Sequence, residues 1–327
     1  MHAIRQHEFG PAETLVHQEV PDPQPGSGQV RIAVAAAGVH LLDTTIRAGT
    51  DGGPMPLPEL PMTPGREVAG VVDALGEDVD PAWLGRRVVA HLGMASGGYA
   101  ELAVANVTAL HEIPDGVDDG AAVAMIGTGR TTMAVLHVAA ITEGDVVLVT
   151  AAAGGIGNLL VQHARNVGAT VVGLAGSAAK VDLVRGLGAE IAVDYTRPDW
   201  AERVREQLGD REVTVVMDSV GGAVGRASLD LLGAGGRIYF FGWSAGESTK
   251  LTQDDLWAKS LTAGVAIGPA VIQRAGGLRA LEERSMAALA KGELVPLVNP
   301  PIPLAEAAAA HTALVTRATI GKVILTP

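Results

Sequence analysis

The sequence predicts an α/β protein of two domains: a β-rich one assembled from both ends of the chain, and a helix-covered parallel sheet between them. Three observations carry this. At 327 residues the chain exceeds what one hydrophobic core usually organises. Near residue 120, short strands and turns give way to apolar strands alternating with amphipathic helices. The β-rich part is short of helices to cover it, so the chain is expected to return there after the sheet. The expected domains are 1–121 with 268–327, and 122–267.

In the first part, PDPQPGSG at 21–28 is a turn-rich break. QVRIAVAAAGV after it partly alternates, with Val30, Ile32 and Val34 on one side. REVAGVVDALG (66–76), RRVVAH (86–91) and YAELAVANVTALHEI (99–113) are further strand candidates separated by Gly, Pro and Asp, the pattern of a small barrel-like β domain. GTDGGPMPLPELPMTPG at 49–65 is too rich in Pro and Gly for regular structure; it is either a lid or binding loop, or a plain surface connection.

AAVAMIGTGRTTMAVLHVAAI then reads as helix. After it come DVVLVTAA, a helix at 155–167, TVVGLAG, a helix at 177–187, EIAVDY, a helix at 199–208, VTVVMDSV, a helix at 222–232 and GRIYFFG. Strands that are apolar throughout belong in a parallel sheet covered on both faces. LTAGVAIG at 261–268 is a sixth strand, followed by a long Ala/Leu-rich helix, the Pro-rich NPPIPL, another helix and a closing strand, GKVILTP.

Composition narrows the function. The net charge of -12, with no basic block, argues against nucleic acid or an anionic membrane surface as a partner. No apolar run reaches the ~18 residues needed to span a bilayer. MHAIRQHEFGPAE lacks the apolar core of a secretory signal, so a cytoplasmic protein is expected. Without cysteine there is neither a disulfide nor a thiolate zinc site, and the nine His are scattered with no HExxH or HxH spacing. No metal is expected.

The most informative stretch is VVLVTAAAGGIGNLLVQHA. An apolar strand ends at Thr150, a glycine-rich turn follows, and a helix begins whose residues Ile156, Leu159, Leu160 and Val167 share one face. AAGGIG stands where a G-x-G-x-x-G fingerprint would, with Ala152 in the first Gly position. Gly154 lets backbone approach a pyrophosphate, Gly157 lets the helix pack closely on the strand, and the helix N-terminus presents N–H groups to phosphate. A dinucleotide site selective for NAD(H) usually carries an acid at the end of the second strand. Here that end reads Gly173-Leu174-Ala175-Gly176-Ser177, followed by Lys180. A carboxylate would repel a 2′-phosphate, whereas Ser and Lys would bind one, so NADP(H) is the expected cofactor.

With these residues in view, the chain resembles the zinc-independent quinone oxidoreductases, the zeta-crystallin-like branch of the medium-chain dehydrogenase/reductases. The resemblance runs along nearly the whole chain. It is carried by GVHLLDTTIRAG (38–49), GREVAGVV (65–72), GGYAELAV (97–104), GRTTMAVLHVAAITEGDVVLVTAAAGGIG (129–157), DSVGG (218–222) and RATIGKVILTP. It implies a discontinuous GroES-like catalytic domain, a Rossmann cofactor domain, a cleft between them, and a homodimer paired through edge strands of the cofactor domain. It further implies that Thr131 lies on the nicotinamide side and that Gly154, Gly155 and Ile156 form the pyrophosphate turn. Gly176, Ser177, Lys180 and Tyr195 resemble the family's 2′-phosphate pocket, with Arg317 a further phosphate contact. Phe241, Gly242 and Ser244 resemble the strand end under the nicotinamide, and Val265 and Ile267 the neighbouring hydrophobic wall.

Zinc-dependent members place a Cys where His40 stands and a His where Arg66 stands, so the resemblance too implies an enzyme without zinc. Related quinone reductases often read N-F-I-D-T-Y, with Asn at the place of His40 and Tyr at that of Thr45; both are changed here.

Hydride addition to a quinone or enone puts negative charge on an oxygen, which a nearby donor stabilises. His40, Thr45 and Arg47 are the donors in GVHLLDTTIRAG, and His40 and Thr45 are the catalytic candidates. His40 either donates to that oxygen, with an ordinary pKa of about 6.5 near working pH, or lines the wall. Asp43 either orients His40 or holds the loop by accepting backbone N–H groups. Trp243 either shapes a pocket or belongs to an interface. The leading expectation is an NADPH-dependent reductase of quinones or other α,β-unsaturated carbonyls. The alternatives are an enoyl-thioester reductase of a biosynthetic pathway and a non-catalytic NADPH-binding protein.

Overall fold

The computed structural model describes residues 1–50, 56–93 and 96–327. The chain forms two compact units, Met1–Gly127 with Leu297–Pro327, and Thr128–Pro296. Among the described residues no helix is long and apolar enough to cross a membrane.

The first unit is built on a seven-stranded sheet. Its order is Ile302–Pro303, Val323–Thr326, Gln29–Val39, Glu67–Leu75, Arg87–His91 and Leu110–Glu112, with Leu102–Asn106 also paired to Gln29–Val39. The apolar alternation along these strands fills a core that includes Ile32, Val68, Val88, Tyr99 and Leu325. Register places the closing strand next to the stretch 38–49: Val323 pairs with Val39 and Ile324 with Gly38. Lys322 therefore arrives beside His40. A two-stranded antiparallel pair, His2–Gln6 with Leu15–Glu19, was not legible in the sequence, because polar residues interrupt both strands. Most of 49–65 is irregular as expected. Positions 51–55 lie outside the described residues, so the reading of this segment as a lid applies only in part to what is described.

The second unit is a six-stranded parallel sheet. Its order is Ile191–Asp194, Thr170–Ala175, Val146–Val149, Val213–Asp218, Leu232–Phe240 and Thr262–Val265. Counted along the chain this is 3-2-1-4-5-6, the order of the doubly wound dinucleotide-binding fold. Alternate residues of the first strand enter opposite cores, Val147 and Val149 one, Val146 and Leu148 the other. Both faces are covered, which is why the strands read as continuously apolar.

Two expectations are corrected. The segment 268–296, expected in the β-rich domain, belongs to the second unit. Leu281, fully buried, packs with Ala134, Val271 and Ala275, and Arg130 Nη1 meets Glu282 Oε1 at 2.9 Å. The Ala/Leu-rich stretch is two helices, Pro269–Arg274 and Gly277–Ala290, broken at the glycine pair Gly276 and Gly277, both with positive φ. At the other boundary, residues 122–127 fall in the first unit, because the helix Asp119–Ala124 packs on Gln29–Val39. A wide turn, Met125–Gly129, separates that helix from Arg130–Ala139.

Candidate active site and cofactor turn

In the second unit, the strand Val146–Val149 feeds the turn at 150–154 and then the helix Gly155–Asn166. Ala151 takes a positive φ of 47° and Gly154 is the N-cap, with no side chain capping the helix. The N–H groups of the first turn are thus left for a ligand, the usual requirement for phosphate at a helix start. Gly157 sits where a Cβ would overlap the carbonyl oxygen of Ala151, so this helix can approach its strand only with glycine there. Asn158, which sequence reasoning passed over, braces the turn by donating to the carbonyls of Gly154 and Gly155, both at 2.7 Å. The residues present fit a dinucleotide pyrophosphate.

The end of the next strand brings together the residues expected at a 2′-phosphate. Gly176 follows Thr170–Ala175 directly, and Ser177 caps the helix Ala178–Gly186, its hydroxyl accepting from the Lys180 N–H at 3.4 Å. A Cβ on Gly176 would lie 3.4 Å from the Tyr195 hydroxyl, so Tyr195 borders the same corner. Arg317 lies in the other unit, exposed, in a left-handed conformation just past the helix Ala307–Val315. Thr131 stands half-buried in the first turn of Arg130–Ala139.

Phe241, Gly242 and Ser244 follow the strand Leu232–Phe240 and are pinned to the neighbouring strand end: Phe241 N donates to Asp218 O and Ser244 N to Ser219 O, each at 3.0 Å. Val265 ends the edge strand and is 62% exposed; Ile267 follows it, half-buried. Asp218, fully buried, organises the DSVGG turn. Its carboxylate accepts from Val220 N, Gly221 N, Thr150 Oγ1 and Thr249 Oγ1 at 2.6–3.2 Å.

In the first unit, His40 is the N-cap residue of a helix the sequence did not announce, Leu41–Arg47. Asp43 accepts the His40 backbone N–H at 2.8 Å, so it holds the loop as well as the donor's backbone. The imidazole is a quarter exposed, and its Nε2 is 2.6 Å from Glu67 Oε1. Lys322 reaches both groups, with Nζ 2.6 Å from Glu67 Oε2 and 2.9 Å from His40 Nε2. Glu67 is fully buried and Lys322 nearly so. Burial alone would raise the Glu67 carboxyl, but His40 and Lys322 outweigh it and hold its pKa well below the usual carboxylate range. Space for this carboxylate comes partly from Gly127, where a Cβ would overlap Oε1. Thr45 is half-buried in the same short helix.

A second buried chain of polar groups backs this one. Tyr99 donates its hydroxyl proton to Asp43 Oδ2 at 3.0 Å, and His311 Nε2 is 3.2 Å from the same hydroxyl oxygen. Because that proton goes to Asp43, His311 must donate from Nε2, which fixes the neutral tautomer and leaves Nδ1 buried without a partner. Burial, opposed by Asp43, pushes the His311 pKa down from 6.5 to about 4. The unfolded chain therefore takes up a proton below 6.5 that the folded protein refuses. Stability present above pH 6.5 is lost progressively as the pH falls toward 4, by roughly 3 kcal/mol in all. Urea midpoints measured across this window should fall less steeply for His311→Gln than for the parent; equal slopes would contradict the assignment.

Glu67, Lys322 and His311 were not singled out from the sequence. The available signal was a charged or polar residue inside an apolar run: Glu67 opens EVAGVV, and Lys322 interrupts IGKVIL. Among the described residues no three His, Asp or Glu side chains converge as metal ligands.

Comparison with known proteins agrees with this architecture. Residues 26–115 match the model of the alcohol dehydrogenase GroES-like domain, and residues 155–277 that of the zinc-binding dehydrogenases. The chain is 33% identical to a quinone oxidoreductase of Sus scrofa over 329 residues, covering 99% of this chain and 97% of that protein. It is 34% identical to a 2-haloacrylate reductase of a Burkholderia species, covering 98% and 97%. The crystal structure of Escherichia coli quinone oxidoreductase complexed with NADPH superposes with a TM-score of 0.85 at 30% identity, covering all of both chains. By sequence along its whole length and by fold, the chain belongs to the quinone oxidoreductase family of the medium-chain dehydrogenase/reductases.

Proposed function

We propose that this protein is an NADPH-dependent reductase of quinones or other α,β-unsaturated carbonyl compounds, and that it works without a metal. The observation that carries the reading is the uncapped helix Gly155–Asn166 behind its glycine turn, next to a strand end that offers Ser177 and Lys180 in place of an acid. Bound NADPH would supply the hydride. Gly154, Gly155 and Ile156 hold its pyrophosphate; Gly176, Ser177, Lys180 and Tyr195 receive the 2′-phosphate. Thr131, Phe241, Gly242, Ser244, Val265 and Ile267 border the nicotinamide.

His40 and Thr45 are the proposed donors to the acceptor oxygen. His40 Nε2 is committed to Glu67 and Lys322. Nε2 faces Glu67 and Lys322, so Nδ1 is the ring nitrogen from which His40 would donate. A zinc ion of the kind the matched family description names does not fit here. The ammonium of Lys322 already lies against both His40 and Glu67, and Arg66 adds a second cation.

The similarity to a 2-haloacrylate reductase favours small unsaturated acids among the acceptors. A homodimer is proposed through the edge strand Thr262–Val265, which leaves Val265 exposed, with Trp257 and Trp243 exposed in the same unit. A cytoplasmic location is part of the same reading.

The test is steady-state oxidation of NADPH and NADH against a panel of quinones, enones and enoyl thioesters, repeated with Lys180→Ala. We expect the NADPH-to-NADH ratio of kcat/KM to fall roughly 10- to 100-fold in the variant. Equal use of both cofactors by the parent, or no turnover on the whole panel, would overturn the reading.

A further inference from the structure

One cavity in the first unit is lined by an arginine, Arg47, that none of these roles uses. Its volume is about 140 Å³, and its wall includes Arg47, Arg66, Asp43, Gln6, Leu57 and Met62. Arg47 closes the helix Leu41–Arg47 and is only 9% exposed. Among the described residues its guanidinium makes no ion pair or hydrogen bond, and its Nε is fully enclosed. Burial pushes its pKa down, with only Glu13 acting in the opposite direction.

A guanidinium whose Nε is enclosed without a partner, with no carboxylate against its outer nitrogens, marks a place where an anion is favourable. Asp43, the acid in this wall, is already committed to the His40 N–H, the Tyr99 hydroxyl and Arg66. Arg47 thus has no carboxylate against it in this wall, in a chain whose net charge is -12. Gln6, fully buried in the same wall, has an Oε1 with no donor.

We propose that this cavity is a subsite for a short monocarboxylate, which pairs with the guanidinium of Arg47 while one retained water donates to Gln6 Oε1. One negative charge balances the one unpaired guanidinium, and the planar fork of arginine matches the two carboxylate oxygens. Leu57 and Met62 give the carbon chain an apolar wall. A cavity of this size holds roughly a benzene-sized ligand. A three- or four-carbon acid therefore fits. Resting on the reductase reading above, the acceptor class selected by this subsite is an α,β-unsaturated monocarboxylate.

The full chain is titrated calorimetrically, without NADPH, with propionate, propionamide and inorganic phosphate. In separate assays NADPH oxidation is followed with acrylate and acrylamide. Propionate should bind saturably and propionamide at least about 10-fold more weakly. Arg47→Met should weaken propionate roughly 10- to 100-fold, whereas Arg203→Met, at an exposed arginine of the helix Trp200–Leu208, should not. The acrylate-to-acrylamide ratio of kcat/KM should fall about 10-fold or more in Arg47→Met. Arg47→Lys, which keeps the charge without the fork, should bind propionate with intermediate strength and serves where the Met variant does not fold.

Propionate binding that is absent, weaker than that of phosphate, or equal in the parent and both Arg47 variants overturns the subsite. Intact propionate binding, with no NADPH oxidation by any acceptor, overturns the reductase reading and supports the subsite.

Discussion

Replacing Glu67 with Gln is expected to lower the unfolding free energy by about 3–5 kcal/mol, measured by urea denaturation at neutral pH. The carboxylate is fully buried and answers both Lys322 and His40. Its removal leaves the Lys322 ammonium, 3% exposed, with no negative charge against it. An amide of the same shape fills the space but carries no charge, so the loss is electrostatic rather than one of packing. The double variant Glu67→Gln with Lys322→Met removes the stranded cation as well and should recover part of the loss. A single-variant loss below about 1 kcal/mol would show that the cluster contributes little to folding.

Asp218→Ala is expected to cost about 4 kcal/mol. Four donors converge on this carboxylate, two of them backbone N–H groups of the turn that follows the strand Val213–Asp218. Alanine leaves three of them without an acceptor, the Thr150 hydroxyl keeping only the Met217 carbonyl at 3.3 Å, in a site the protein keeps closed to water. The same carboxylate shapes the turn whose Ser219 carbonyl receives Ser244 N, so NADPH affinity should fall together with stability. Thermal melting with and without NADPH separates the two effects: the variant should melt lower alone and gain less from the cofactor than the parent does.

The parallel-sheet unit was legible because its strands are buried on both faces and its helices carry periodic apolar residues, signals local to each segment. The turn at 150–157 was legible for the same reason, since strand, glycines and helix adjoin in sequence. The cluster around His40 was not. Its partners lie 27 and 282 residues away along the chain, and only the pairing of Val323 with Val39 brings the last of them home. His40 was found because its stretch is short and polar groups in it are few. Glu67 passed as one charge at the start of a strand. The second boundary was placed at 268 because helix-rich sequence was assumed to cover the β-rich part, whereas Leu281 and Glu282 are bound to the helix Arg130–Ala139. The helix Leu41–Arg47, seven residues long, was missed because a run this short makes barely two turns.

The place of Lys322 also sets an order of events during synthesis. All of Thr128–Pro296 is made before residue 322 exists, so the parallel-sheet unit has its complete sequence while the first unit still lacks a strand and its internal counter-cation. Until Lys322 is added, Glu67 has no ammonium to meet in the interior. The first unit therefore finishes folding only after the second has its whole sequence, and its closure waits on a single lysine.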